Sequence, residues 1–451
     1  MPVPPAVHLR EGNLPYGRAR VGRIPPGAFR RLPLREGLPV TDAILEVQDL
    51  VKHFPVKLPG IARILWGGDL AVHAVDGVSF SLRPGEIFGL VGESGCGKTT
   101  VGRTVLRLLE PTAGTIRFEG TDITHLKEPE LRPLRKRMQI IFQDPHASLN
   151  PGMTIGQSIA DPLIIHEAAD ESEAKRAALE IMTEVGLSPA EQMYAKYPGD
   201  LSGGQKQRAV IARAMILKPQ LIVEDESVAM LDMSIRSRVL ELIIDLKRRY
   251  GPTYLFITHD LATAKFICDR IAIMYLGRIV EMGPSKGIYA DPKHPYTRAL
   301  LEAVPVPDPM RRGRKVLPRG EVPDAVHPPS GCRFHPRCPV AMPTCGWEGR
   351  DFVDFLELRW LSPETAAAET ALGPVKQWTT DGLIARRRVR DADPGALAGQ
   401  VRAIVADVES PMIQAIEAVE VEEEGVVVRF RPPAPLEPKE VEGRLVECLL
   451  Y

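Results

Sequence analysis

No apolar run in this 451-residue chain approaches the roughly 18 to 20 residues needed to cross a bilayer. The opening MPVPPAVHLREGNLPYG has no apolar signal-peptide region. A membrane-spanning or secreted protein is therefore not expected, and contact with a membrane should come through partners. Net charge of one sign is also lacking. The 57 basic and 58 acidic residues leave −1, so the chain as a whole does not offer the basic face that a nucleic-acid backbone demands. There is no repeat at solenoid period and no sustained heptad pattern. Cysteine is scarce and uneven: Cys96 and Cys268 stand alone, Cys332, Cys338 and Cys345 cluster, and Cys448 sits three residues from the end. In a reducing compartment such a cluster points to metal more readily than to disulfides.

What is there changes character along the chain. Residues 1–40 hold eight prolines, seven arginines and two acidic residues, too little apolar surface to order the segment. Residues 1–43 therefore read as a solvated tail. From Ile44 short β-like runs give way to IFGLVG, QIIFQ, QLIVED, TYLFITHD and RIAIMYLGRIVEMG, separated by helical patterns such as SRVLELIIDLKRRY. Strands alternating with helices predict an α/β fold over 44–290, with a β-rich first part and a mainly parallel core sheet. Between Thr154 and Lys196 the helical pattern lacks strands, so a helical subdomain is expected over about 144–215. Residues 305–343 hold ten prolines and the cysteine cluster, and need a staple to be ordered. Residues 346–438 read as a small α+β insertion of unknown role, with helices over PETAAAETAL and GALAGQVRAIVADV.

The chemistry starts at Gly92-Glu-Ser94-Gly95-Cys96-Gly97-Lys98-Thr99, which matches G-x-x-x-x-G-K-[ST] between a strand and a helical pattern. Glycines let the backbone curl so that N–H groups from Gly95 to Thr100 face phosphate oxygens at a helix start. Lys98 would bridge the β- and γ-phosphates, and Thr99 would offer its hydroxyl to Mg²⁺. The apolar run LIVED ends in Asp225, suited to the metal through water, and Glu226 follows it, placed to polarise an attacking water.

Leu201-Ser202-Gly203-Gly204-Gln205, lying between the glycine loop and the acidic strand, is the motif by which the chain resembles the ABC ATPases, P-loop NTPases that work as cassettes. The resemblance implies a head-to-tail dimer in which Ser202, Gly203, Gly204 and Gln205 act in trans on ATP held by the other cassette. By the same resemblance Gln143 in IFQDP senses Mg²⁺ and water and links to a transmembrane partner. Asp232 takes the D-loop position, His259 in ITHD is the switch histidine, and Phe54 in VKHFP is the candidate to stack on adenine. Two positions depart from the family: Glu224 stands where a small or apolar residue is usual, and Ser227 replaces a proline. A third carboxylate is expected to raise the pKa of Glu226 or loosen Mg²⁺ binding, which opens a low-turnover, regulatory reading.

Longer strings, KHFPVK, AVDGVSFSLRPGE, QDPHASLNP, HPYTRALLEAVPVPDP and HPPSGCRFHPRCP, resemble the ATPase subunits of oligopeptide and dipeptide permeases, nearest the F-type member of an unlike pair. They cover about Leu45 to Cys345 and the last dozen residues, so 291–345 and 439–451 are read together as a C-terminal segment interrupted by 346–438. The resemblance implies a second ATPase subunit, two transmembrane permeases and an extracytoplasmic solute-binding protein as partners. It also implies a peripheral place at the cytoplasmic face of the membrane. Peptide is the implied cargo, with nickel or oligosaccharide as alternatives; a soluble, non-transport ABC ATPase is the reading from another class. Some relatives hold a four-iron four-sulfur cluster in such a cysteine set. The resemblance extends that to Cys332, Cys338, Cys345 and Cys448, with zinc or free thiols as alternatives.

Overall fold

The structure, a computed structural model, describes residues 43–56, 70–303, 320–361, 372, 374–389, 393–422 and 425–451. The tail up to residue 42 and all but the last residue, Leu372, of the helix expected over 363–372 lie outside the described residues.

The apolar runs become the middle of an eight-stranded sheet. From edge to edge it runs Lys439–Val441, Arg444–Val446, Arg278–Pro284, Arg270–Tyr275, Ile87–Val91, Thr253–Thr258, Leu221–Asp225 and Met138–Ile141. The last five are parallel to one another. Ile87–Val91, Leu221–Asp225 and Thr253–Thr258 are buried along their whole length, as continuous apolar strands covered on both faces must be. The α/β fold with a mainly parallel core sheet is thus borne out. A four-stranded antiparallel sheet, in the order Ala71–Leu82, Leu45–Pro55, Ala113–Phe118, Thr121–Asp122, forms the β-rich first part. Between Met138–Ile141 and Leu221–Asp225 the chain is helical. Ile155–Ile165, Glu171–Glu184 and Gly203–Met215 share a core through Ile155, Ile159, Ala174, Met182 and Ile211. Thr154, Asp170 and Ser202 cap these helices, each side chain accepting from a first-turn N–H.

Beyond the cassette, strands Trp378–Asp381, Ile384–Arg388, Gly425–Phe430 and Ile416–Glu422 make a third, antiparallel sheet in that order. Helices Gly349–Trp360 and Pro394–Asp407 close over it, and Phe352, Leu356, Trp378, Val401, Val428 and Phe430 belong to a core separate from those of the cassette.

The chain then returns. Arg444–Val446 pairs antiparallel with Arg278–Pro284, Glu281 opposite Val446 and Met282 opposite Leu445, so the last residues extend the main sheet, a contribution that sequence pattern did not indicate. Arg444 fixes this return: buried, it donates to the carbonyls of Gly287 (3.1 Å) and Asp291 and lies 3.9 Å from the buried Glu281 carboxylate. Glu281 in turn accepts the N–H groups of Lys293 and His294 at 3.0 and 2.9 Å. Removing the cation leaves acceptors and a charge without their buried partner. Arg444→Ala is expected to destabilise the protein by about 3 kcal/mol, read by thermal or denaturant unfolding; an unchanged transition would show that the return strand is not anchored there.

Candidate functional site

The glycine loop leaves the C-terminal end of Ile87–Val91 in a space too narrow for side chains. A Cβ on Gly92 would lie 2.2 Å from the Met274 carbonyl oxygen, and one on Gly97, at φ 106°, 2.0 Å from that of Ala74. Only glycine passes both points. Helix Lys98–Val105 starts at once, with Gly97 as its N-cap. Ser94 and Gly95 are exposed, Thr100 is half-buried, and Cys96 is buried with its thiol pKa pushed up by that burial. The Lys98 ammonium donates to the carbonyls of Gly92 and Glu93, each at 2.9 Å.

The acidic strand ends two strands away on the same edge. Asp225 is buried, which raises its carboxyl pKa, and accepts from the Thr99 hydroxyl at 2.8 Å. Glu226 sits at φ 50°, a left-handed conformation rare for a side-chain-bearing residue. Its carboxylate is the meeting point of the site: Lys98 Nζ lies 3.5 Å from Oε1, while His259 Nδ1 and Gln143 Nε2 lie 3.0 and 3.4 Å from Oε2. The four residues expected to act together are brought together.

Glu224 corrects the expectation of a third carboxylate charge. It is completely buried, burial pushes its pKa up to about 8, and the Ser227 hydroxyl donates to it. The two departures from the family pattern are thus one pair: an acid that is mostly neutral at pH 7, with a hydroxyl partner that a proline would not supply.

Ser202 caps helix Gly203–Met215, accepting from Gln205 N while Gln205 Oε1 accepts from Ser202 N. Asp232 caps helix Met233–Tyr250, and Gly204 packs so tightly on Ile235 that a Cβ would lie 2.8 Å from it. Among the described residues no hydrogen bond or ion pair links 202–205 to 92–100. Phe54 is half-buried at the end of Leu45–Pro55, with the Lys52 ammonium 5.0 Å from its ring centroid. Its partner strand Ala71–Leu82 carries the Ala74 carbonyl that crowds Gly97.

Cys332, Cys338, Cys345 and Cys448 line one pocket with Phe334 and Leu449, across a gap of more than a hundred residues. None of the four is in a disulfide. Burial raises every one, Cys332 to about 12 and Cys338 to about 11. Sequence reading passed over His53, His73 and Asp76, whose donor atoms lie within 4.8 Å of one another. Their Asp76 carboxylate is already taken by the Arg333 guanidinium, so the cluster is a structural anchor.

Residues 75–229 match the family model described as ABC transporter, and residues 280–345 the one described as oligopeptide/dipeptide transporter, C-terminal region. A probable peptide ABC transporter ATP-binding protein of Sinorhizobium fredii is 47% identical over 306 residues, 68% of this chain and 85% of that protein. The chain belongs to the ABC transporter family. An oligopeptide transport ATP-binding protein of Bacillus subtilis, AppF, is 47% identical over 308 residues, 67% of this chain and 92% of that one. The putative oligopeptide transport ATP-binding protein YkfD of the same organism is 45% identical over 321 residues, 70% and 91%. Among the described residues of this ABC ATPase no helix is long and apolar enough to cross a membrane.

The buried acid has a measurable signature. Its folded pKa, about 8, lies above the ordinary 4.5, so the stability linked to Glu224 is complete below pH 4.5 and is lost as pH rises through about 8. Glu224→Gln should match the parent near pH 4.5 and become progressively more stable than it up to pH 8, by on the order of 4 kcal/mol. Melting curves across that range check this; parallel pH profiles would refute a neutral buried acid.

Proposed function

We propose that this chain is the ATP-hydrolysing motor subunit of a peptide importer. The observation that carries the reading is the Glu226 carboxylate, held within reach of Lys98, Gln143 and His259 beside a glycine loop built for phosphate. The relatives' peptide-transport names and the match of 280–345 to the oligopeptide/dipeptide C-terminal region support the cargo class over nickel or oligosaccharide.

On this reading the N–H groups from Gly95 to Thr100 and the start of helix Lys98–Val105 take the β- and γ-phosphates, with Gly92 and Gly97 giving the loop its path. Lys98, located by the carbonyls of Gly92 and Glu93, would use its remaining donor to bridge those phosphates. Thr99, Asp225 and Gln143 would hold Mg²⁺. The Thr99 hydroxyl donates to Asp225 at 2.8 Å, so both side chains stand where they would hold the ion, Thr99 through its hydroxyl and Asp225 through water. When bound, the ion offsets charge on the phosphate oxygens. Glu226 polarises the attacking water, and His259 orients it against the γ-phosphate. Phe54 stacks on adenine. Ser202, Gly203, Gly204 and Gln205 complete the pocket of a second cassette in trans, with Asp232 at that interface. The partners are a second ATPase subunit, two permeases and a solute-binding protein, with the subunit peripheral at the cytoplasmic face; no nucleic-acid role is proposed.

In the assembled transporter, Glu226→Gln is expected to lower ATPase activity about 100-fold or more while nucleotide still binds; an unchanged rate would assign hydrolysis to the partner ATPase. Lys98→Ala is expected to abolish ATP binding at this site, measured by equilibrium titration, and normal affinity would contradict the assignment.

For the cysteine pocket we infer a four-iron four-sulfur cluster held by Cys332, Cys338, Cys345 and Cys448. The four line one pocket with Phe334 and Leu449, and four thiolates in an apolar wall are the donor set such a cluster takes. Protein purified without oxygen should carry about four iron and four sulfide per chain. Zinc in their place, or neither metal nor sulfide, would overturn the inference.

A further inference from the structure

The glycine loop is gripped at both of its ends by residues that flank the pocket cysteines. At its start, Glu93 is fixed at three points. Its N–H donates to the Tyr296 hydroxyl at 3.1 Å, its carbonyl accepts from Lys98 at 2.9 Å, and its carboxylate accepts from Arg337 at 3.1 Å. Arg337 directly precedes Cys338, is only 10% exposed in this ion pair, and also donates to the Tyr275 hydroxyl at 3.4 Å. At the other end, the Cys96 carbonyl accepts from Gly277 N at 2.9 Å. The turn carrying Gly277 is held by Arg333, next to Cys332, which donates to the Leu276 carbonyl and to Asp76. Asp76 closes the ring, its N–H donating to the Gly277 carbonyl at 2.9 Å. Between the two grips, the buried rings of Tyr275, Tyr296 and Phe334 pack tilted or edge-on, with centroids 4.6 to 5.3 Å apart. Phe334 itself forms part of the wall of the cysteine pocket.

We propose that Arg337 and Arg333 are positioning residues for the nucleotide site, so that ordering of the four-cysteine pocket sets the affinity of the glycine loop for nucleotide. The physical reason is the geometry of Glu93. Its carbonyl is one of the two oxygens that locate the Lys98 ammonium, and the backbone bearing it is free to rotate unless the carboxylate and the N–H are both held. Arg337 and Tyr296 hold them. Order in the proline-dense segment around Cys332 and Cys338 is therefore transmitted to the lysine through rigid rings and charge-assisted hydrogen bonds. This rests on the reading of residues 92–100 as the ATP site.

The test measures the affinity of the full chain, in the absence of ATP turnover, for a fluorescent ATP analogue carrying an N-methylanthraniloyl group. Arg337→Ala is expected to weaken it roughly tenfold, the loss of one buried charge-assisted hydrogen bond. Arg337→Lys should recover part of that loss. Arg337→Ala combined with Glu93→Gln should be no worse than either alone. Cys338→Ser, which touches no residue of the loop, should shift affinity in the same direction, with melting curves confirming that the cassette stays folded. Affinities within twofold of the parent for the arginine variants would overturn the proposal, provided that Lys98→Ala still loses the analogue; if Lys98→Ala binds normally, the reading of the nucleotide site fails instead. An effect of Arg337→Ala with none of Cys338→Ser would overturn the link to the pocket.

Discussion

The site depends on one constraint, that parallel strands must all end on the same edge of their sheet. Ile87–Val91, Thr253–Thr258 and Leu221–Asp225 are consecutive neighbours, so the residues just past their ends, the glycine loop, His259 and Glu226, fall side by side at spacings of about 5 Å per strand. Nothing in the chemistry of a lysine, a histidine and a glutamate makes them assemble. Fully apolar strand interiors do it, by burying these strands on both faces and forbidding register slips. The same edge receives Gln143 from the loop after Met138–Ile141, which explains how three residues spread from position 98 to 259 converge on the Glu226 carboxylate.

Burial then sorts the acids. Alternation along Leu221–Asp225 sends Glu224 and Asp225 to opposite faces. Asp225 reaches Thr99, where a hydroxyl and nearby cations accept its charge, whereas Glu224 goes into a dry interior where the protonated form is favoured. Neighbouring acids in sequence therefore meet different surroundings in the fold, Glu224 a dry interior and Asp225 a hydroxyl partner.

The C-terminal region is tied to the cassette by arginine rather than by apolar area alone. Arg333, Arg337 and Arg444 each reach backbone carbonyls or carboxylates of the cassette across 57 to 257 residues of sequence. A planar guanidinium has donors enough to satisfy several acceptors at once in a place that water does not reach. The insertion with its own sheet leaves the main chain at the cysteine pocket and returns to it, so Cys448 completes the set begun at Cys332.

Motif chemistry was legible without a structure because it is local. A glycine loop before a helix, an apolar strand ending in acids and a capping serine before two glycines each carry their reason within about ten residues. By themselves those strings determined the cassette, the sheet's parallel core and the residues that meet at Glu226. Tertiary structure alone decided the neutral state of Glu224, the strand added by Arg444–Val446 and the grip of Arg333 and Arg337 on the glycine loop. Each of these turns on which face a side chain takes, how dry that face is, and which distant partner waits there. Periodicity reports that a residue is buried, but not against what.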